Sequence, residues 1–219
     1  YFSVGPTAPA ALRWMINTVF MAVVSMILTC ITAAMAGYAL AKKRFVGRKL
    51  LFTLIVCAMA LPKQVILIPL LREMSSLQLY NTIWAVIFPI VGWPFGVFLM
   101  KQFSENIPGE MLEAARIDGA GELRIFYRIY LPLVVPGLMT LGIFTFQSGW
   151  NNFMWPNIVL QSPENQLLTM AFKFFKTPTE VSYGPLMAIS LMMAVPVLVL
   201  YVFMQKYFVQ GVALGGVKD

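Results

Sequence analysis

Apolar residues fall along this chain in long uncharged blocks separated by short clusters of charge. Five blocks stand out, at residues 14–41, 50–71, 76–100, 129–150 and 183–205, and Lys63 is the one Lys, Arg, Asp or Glu inside any of them. Each holds the roughly 20 residues that a helix needs to cross a hydrocarbon core. No strand-like alternation runs through the blocks, which argues against a transmembrane barrel. The pattern predicts an all-α polytopic membrane protein with five visible spans in one membrane domain over residues 1–219. Prolines recur in or beside the spans, at Pro62, Pro69, Pro89, Pro94, Pro132, Pro136 and Pro196. Each removes a backbone hydrogen bond and tends to kink its helix. Transmembrane helices tolerate such kinks, and kinked helices also line gated pathways.

Between the third and fourth blocks lies a polar segment, residues 104–128, which reads as helix, turn, helix. Ile107-Pro108 sets a start, because proline suits the first helical position. Glu110 and Glu113 follow in the first turns, where negative charge is favoured. Met111, Leu112, Ala114 and Ala115 offer a compact face, and Asp118-Gly119 is a turn signal. The second helix would carry Leu123, Phe126, Tyr127 and Tyr130 on one face, with Arg124 and Arg128 on another. Such a hairpin can transmit a push into the fourth span. An amphipathic connection resting on the membrane has the same physics. On the opposite side, residues 151–182 form the longest excursion, with a short helix expected near Leu167 to Phe175.

Composition and charge orient these elements. Hydrophobic residues make up 59% of the chain and charged residues 11%, against about a quarter charged in soluble domains. Eleven of the 16 Lys and Arg lie in the first connection, the 104–128 region with Lys101, and the tail 206–219. The positive-inside rule makes that side cytoplasmic. The chain then begins outside, ends inside, and presents its polar loop to the cytoplasm. The net charge of +7 is mostly this bias and makes no case for nucleic acid.

Candidate chemistry is sparse. There is no His, and Cys30 and Cys57 both fall inside spans, where they are expected as buried, unpaired small hydrophobes, so neither a metal site nor a Cys/His nucleophile is expected. No G-x-x-x-x-G-K-[ST] loop is present, and Gly119-Ala120-Gly121 lacks both the Lys and a preceding strand. The reading is therefore of no catalytic residue and no cofactor in this chain. All nine Asp and Glu lie outside the spans, which weakens a proton- or sodium-driven carrier. Possible pathway-lining residues are Lys63, Gln64, Gln147, Trp150, Asn151 and Asn152, joined by Asn17, Trp93 and Trp155. Lys63 has two other readings, snorkelling to the outer headgroups or capping the carbonyl freed by Pro62. The Trp residues also suit an interfacial belt.

One motif narrows the field. Glu113-Ala114-Ala115, three residues, Gly119, nine residues, then Ile129-x-Leu131-Pro132 resembles the "EAA" signature of permease subunits of binding-protein-dependent ABC importers. The run Glu113 to Ala120 looks like the sugar-uptake branch, as does Trp150-Asn-Asn-Phe-Met-Trp-Pro156. Pro62-x-Gln64 and Gly211-x-x-x-Gly215-Gly216-Val217-Lys218 are similar to the second, maltose-type permease. The resemblance implies the type I importer permease fold, with a sixth span preceding the five seen. It implies that Glu113 makes a charged contact to a cytoplasmic ATPase dimer, that Ala114 and Ala115 allow close packing, and that Gly119 makes the orienting turn. Asp118, Leu131 and Pro132 complete that coupling set. Gly211, Gly215, Gly216 and Lys218 would lie near the ATPase interface, or else fray as a terminus. The implied partners are a homologous permease, the ATPase pair holding ATP and Mg, an extracytoplasmic binding protein, and a sugar. The alternatives left open are an anionic sugar acid or glycerol phosphate, an ATP-independent carrier, and a membrane scaffold.

Overall fold

In the computed structural model, backbone is described for residues 8–175 and 182–216, and side chains for 11–175 and 182–202. Lys218 lies outside these residues. Helix α1 spans Ala8–Lys42 and α2 spans Arg48–Met59, with Gly47 in the left-handed region between them at φ 84°. Then come α3 (Lys63–Ser76), α4 (Trp84–Val91), α5 (Pro94–Glu105), α6 (Gly109–Ile117) and α7 (Glu122–Ile125). A π-helical turn, Phe126–Tyr130, leads into the short α8 (Leu131–Leu133) and into α9 (Val135–Trp150). The excursion contains α10 (Met154–Val159), two 3-10 turns (Pro163–Asn165 and Leu168–Ala171) and α11 (Phe172–Phe175), before α12 (Tyr183–Gly216). No strand occurs among the described residues.

Among the described residues, three helical stretches are long and apolar enough to cross a membrane, and five if each of two bent pairs counts as one span. The helices do not share the bounds of the apolar blocks. Block 50–71 is not one helix, because α2 ends at Met59 and Pro62 is extended at φ −62° and ψ 127°, outside the start of α3. Block 76–100 begins late: Ser76 still belongs to α3, and Gln78 and Asn81 turn the chain with φ 56° and 61° before Trp84. It breaks again at Trp93, where Pro94 opens α5. Block 129–150 bends by 74° between Glu122–Leu133 and Val135–Trp150. Block 183–205 is part of a longer helix, so the tail from 206 continues α12 through Gly216. At 1.5 Å per residue its 34 residues run about 51 Å, well beyond a hydrocarbon core of about 30 Å.

Proline explains the bend. The missing N–H of Pro132 and its ring's clash with the carbonyl four residues back disfavour a regular α-turn over Arg128. The π-turn absorbs that strain by widening the ladder. Pro136 repeats the insult one turn later, and Val134 opens to φ −96° and ψ 7°.

The chain forms two compact units. One comprises the segment ending at Ser25, Pro62–Ile90 and Thr145–Phe203. Here Trp14, Leu168, Ala171 and Ile189 share a core. Residues 151–175 of the excursion belong to this unit and are firmly held. Asn81 Oδ1 accepts from the N–H groups of Gln161 (2.8 Å) and Ser162 (2.9 Å), and its carbonyl accepts from Asn165 Nδ2. From α1, Trp14 Nε1 donates to the Pro163 carbonyl at 2.7 Å, and Thr18 Oγ1 accepts from the Leu168 N–H at 2.8 Å. The expected helix near 167–175 is present as a 3-10 turn running into α11.

The other unit comprises Met26–Leu61, Val91–Phe144 and the chain from Met204. Its core gathers Ala33, Ala34 and Tyr38 of α1 with Met100, Ile107, Leu112, Ile125, Tyr130 and Leu141. Small residues bring backbones close: a Cβ on Gly37 would stand 2.8 Å from the Met100 carbonyl carbon, and one on Gly137 2.6 Å from the Phe103 ring. Cys30 is half-buried here, but Cys57 is exposed on α2, contrary to the expectation that both are buried.

Candidate coupling site

The polar loop folds as a short helix rooted on one side and bare on the other. Pro108 is extended at φ −59° and ψ 131° and stands just outside α6 rather than within its first turn. Glu110 lies in the first turn and Arg116 in the last, each matching the helix dipole. At the other end, Gly119 has φ +79°. Its N–H donates to the Arg116 carbonyl (3.0 Å), while the Ala120 N–H reaches the Ala115 carbonyl at 2.9 Å. These two bonds make a Schellman motif, with glycine at the position that must be left-handed. Ala115 and Ala120 both pack against the same core, the apolar contact that accompanies such a cap. The spacing of Ala115 and Gly119 in the motif is therefore the spacing of a helix C-cap.

Leu112 and Ile107 are buried and root the helix in the core of this unit. Glu113, Ala114 and Asp118 are exposed, as is Ile117 at 86%. Ala114 and Ala115 thus part company: Ala114 faces outward and Ala115 is half-buried against the core. Leu131 also packs on that core, while Pro132 is exposed. The second helix differs from the expected amphipathic face. Leu123 and Tyr127 are 74% and 62% exposed, and Ile125 and Tyr130 are buried. The π-turn adds a residue to the turn and shifts which positions face inward. Tyr130 Oη donates to the Ala34 carbonyl at 3.1 Å and lies 2.7 Å from Ser104 Oγ.

The sequence reading missed Glu122. It opens α7 after Gly121, and three donors converge on its carboxylate. Lys43 forms an ion pair with Oε2, Tyr38 Oη donates to Oε2 at 3.0 Å, and Arg116 Nε donates to Oε1 at 3.2 Å. The Lys43 ammonium, foremost among these, holds the carboxyl below its ordinary range. Lys42 Nζ donates to the Ile107 carbonyl at the other end of α6. An acid in a first turn after glycine, and a Lys-Lys pair ending a span, were visible signals, but nothing in the chain order connected them.

The possible pathway residues fare differently. Lys63 and Gln64 open α3 and are exposed. Gln147, Trp150, Asn151 and Asn152 cluster where α9 ends. Trp150 is fully buried, stacks on Phe146 at 5.5 Å and donates its indole N–H to the Met193 carbonyl, so it offers no face to a solute. Asn151 Nδ2 donates to the Gln147 carbonyl, and the Asn152 carbonyl accepts from Thr169. Asn17 is spent on the carbonyls of Glu164 and Gln166, and Trp155 on that of Ala85. Gly211, Gly215 and Gly216 are helical backbone at the end of α12.

Comparison with known proteins agrees with this layout. Residues 32–214 match the family described as binding-protein-dependent transport system inner membrane component. The chain is 39% identical to the arabinooligosaccharides transport system permease protein AraQ of Halalkalibacterium halodurans, over 94% of this chain and 74% of that one. It is 33% identical to the lactose transport system permease protein LacG of Rhizobium radiobacter, over 92% and 74% respectively. A crystal structure of a bacterial ABC transporter involved in the import of the acidic polysaccharide alginate superposes with a TM-score of 0.78 at 28% identity, covering 91% of this chain and 75% of that one. With apolar helices, a capped EAA helix and a family match over most of its length, the chain belongs to the binding-protein-dependent inner membrane components, the permease subunits of ABC importers.

Proposed function

We propose that this permease forms half of the translocation path of an ATP-driven importer for an oligosaccharide. A homologous permease supplies the other half, a cytoplasmic ATPase pair binds ATP and Mg and hydrolyses the nucleotide, and an extracytoplasmic binding protein delivers the solute at residues 151–182. The chain sits in a bacterial inner membrane with its C-terminus cytoplasmic. The observation that carries this reading is α6 itself, a helix anchored by Leu112 and capped at Gly119 that leaves Glu113, Ala114 and Ile117 bare. A groove on the ATPase takes that bare side. Closure of the ATPase pair moves α6, and the bent spans switch the path from inward-open to outward-open. The chain performs no covalent chemistry.

The sugar class rests on the relatives, whose names concern arabino-oligosaccharides and lactose. A uronate oligomer is the second reading, favoured by the likeness to the alginate importer. Uptake of labelled arabino-oligosaccharides against uronate oligomers by the assembled complex separates the two. For the coupling role, Ala114→Cys should crosslink to a groove cysteine of the co-expressed ATPase in a nucleotide-dependent yield. Glu113→Lys and Gly119→Pro should each abolish sugar-stimulated ATP hydrolysis. Normal stimulation in either variant would sink the reading.

A further inference from the structure

Both ends of α6 are tied to consecutive residues at the end of α1. Lys42 holds the Ile107 carbonyl, where the chain enters α6. Lys43 and Tyr38 hold Glu122, which in turn holds Arg116 on the last turn of α6. The Schellman turn at Gly119 makes this possible, because it folds the chain back so that Arg116 and Glu122, six residues apart, meet. We propose that Glu122 is a positioning residue for coupling: it clamps the C-terminal end of α6 to the end of α1, so that displacement of α6 is delivered to the first span as well as to the span that follows in sequence. This rests on the coupling role given to α6 above.

A lone surface ion pair would contribute little. Glu122 differs because one carboxylate gathers donors from two elements, with a tyrosine hydroxyl from the core side fixing its rotamer. It also lies at the first position of α7, where the helix dipole favours an anion. Chain connectivity carries a push on α6 only to its sequence neighbours, α5 on one side and α9 on the other. The clasp adds a charged side-chain link to α1, a 35-residue helix, at the C-terminal end of α6, beside the core contact of Leu112 and the Lys42 tie at the other end. Isosteric loss of the charge should therefore weaken transmission more than assembly.

The test uses the complete complex of both permeases, the ATPase pair and the binding protein in lipid nanodiscs. ATP hydrolysis is read with and without binding protein and sugar for Glu122→Gln, Lys43→Gln, the double variant, Glu122→Asp and Gly119→Pro. Glu122→Gln and Lys43→Gln should each cut the stimulated-to-basal ratio by about tenfold, with the double variant no worse than either single. Glu122→Asp, which keeps the charge, should recover most of the ratio, an outcome that loss of packing would not give. If Glu122→Gln fails to co-purify with the ATPase, Lys43→Gln carries the test, since it removes the same ion pair from α1. A ratio within about twofold of the parent in Glu122→Gln, with Gly119→Pro inactive, overturns the clamp and leaves the coupling role standing. Additive losses in the double variant overturn it too. Full stimulation in both Glu122→Gln and Gly119→Pro overturns the coupling role and the clamp together.

Discussion

At Gly119 the backbone alone sets the requirement. A Cβ there would meet nothing within 4 Å, yet φ is +79°, so Gly119→Ala should cost about 1 kcal/mol of stability through the left-handed conformation. The thermal midpoint in detergent should fall modestly, whereas Gly119→Pro removes the N–H that caps Arg116 as well. Gly137→Ala makes the opposite case, since its φ needs no glycine but its Cβ would strike Phe103 at 2.6 Å. Overpacking of that kind costs about 1–3 kcal/mol, and a Phe103→Leu change on the same background should recover part of the lost midpoint. Glu122 brings a pH dependence whose sign is set by Lys43, Arg116 and Tyr38, the groups facing it. Because its folded pKa is lowered, the clasp is at full strength above the ordinary carboxylate value of 4.5 and is lost as pH falls through the depressed one. The difference in thermal midpoint between the parent and Glu122→Gln should therefore vanish in acid, and a difference that persists there would contradict the ion pair.

Among the elements, the breaks matter as much as the helices. Where the hydrophobic pattern reads as one run, Pro62, Pro94, Pro132 and Pro136 divide it. Proline positions were plain in the chain, but whether a proline kinks a span or ends a helix depends on the neighbours available to satisfy the freed carbonyls. The excursion after α9 shows the same dependence on distant partners. Its turn-rich composition marks a surface segment, yet Asn81, some 80 positions earlier, organises it through both side-chain atoms and its own carbonyl. Asn81→Ala removes those side-chain bonds and leaves a Cβ residue at φ 61°, a loss of about 2–3 kcal/mol. Limited proteolysis from the outer face should then cut within 151–175 several-fold faster than in the parent. An unchanged cleavage rate would mean that α1, through Trp14 and Thr18, holds the excursion without Asn81.

For the whole molecule, orientation is the first thing to test. Val46, fully exposed between α1 and α2, and Gln161 in the excursion should report opposite sides. With Cys30 and Cys57 replaced, Val46→Cys should react with a membrane-impermeant maleimide only from the cytoplasm, and Gln161→Cys only from outside. The swapped result would reverse the reading of the basic clusters, and labelling of both from one common side would overturn the count of crossings between them. The sequence by itself determined the all-helical membrane habit and the capped helix of the polar loop, because hydropathy and a C-cap are local properties that neighbouring residues satisfy among themselves, while the EAA motif carried the likeness to the importer permeases. Tertiary structure alone decided that Trp150 and Asn17 are structural, that Ala114 rather than Ala115 faces out, and that Glu122 joins Lys43 and Arg116. Each of those depends on which residues the folded backbone brings within hydrogen-bonding or van der Waals reach, and a pairing between positions about 80 or 150 apart leaves no periodic trace in the chain.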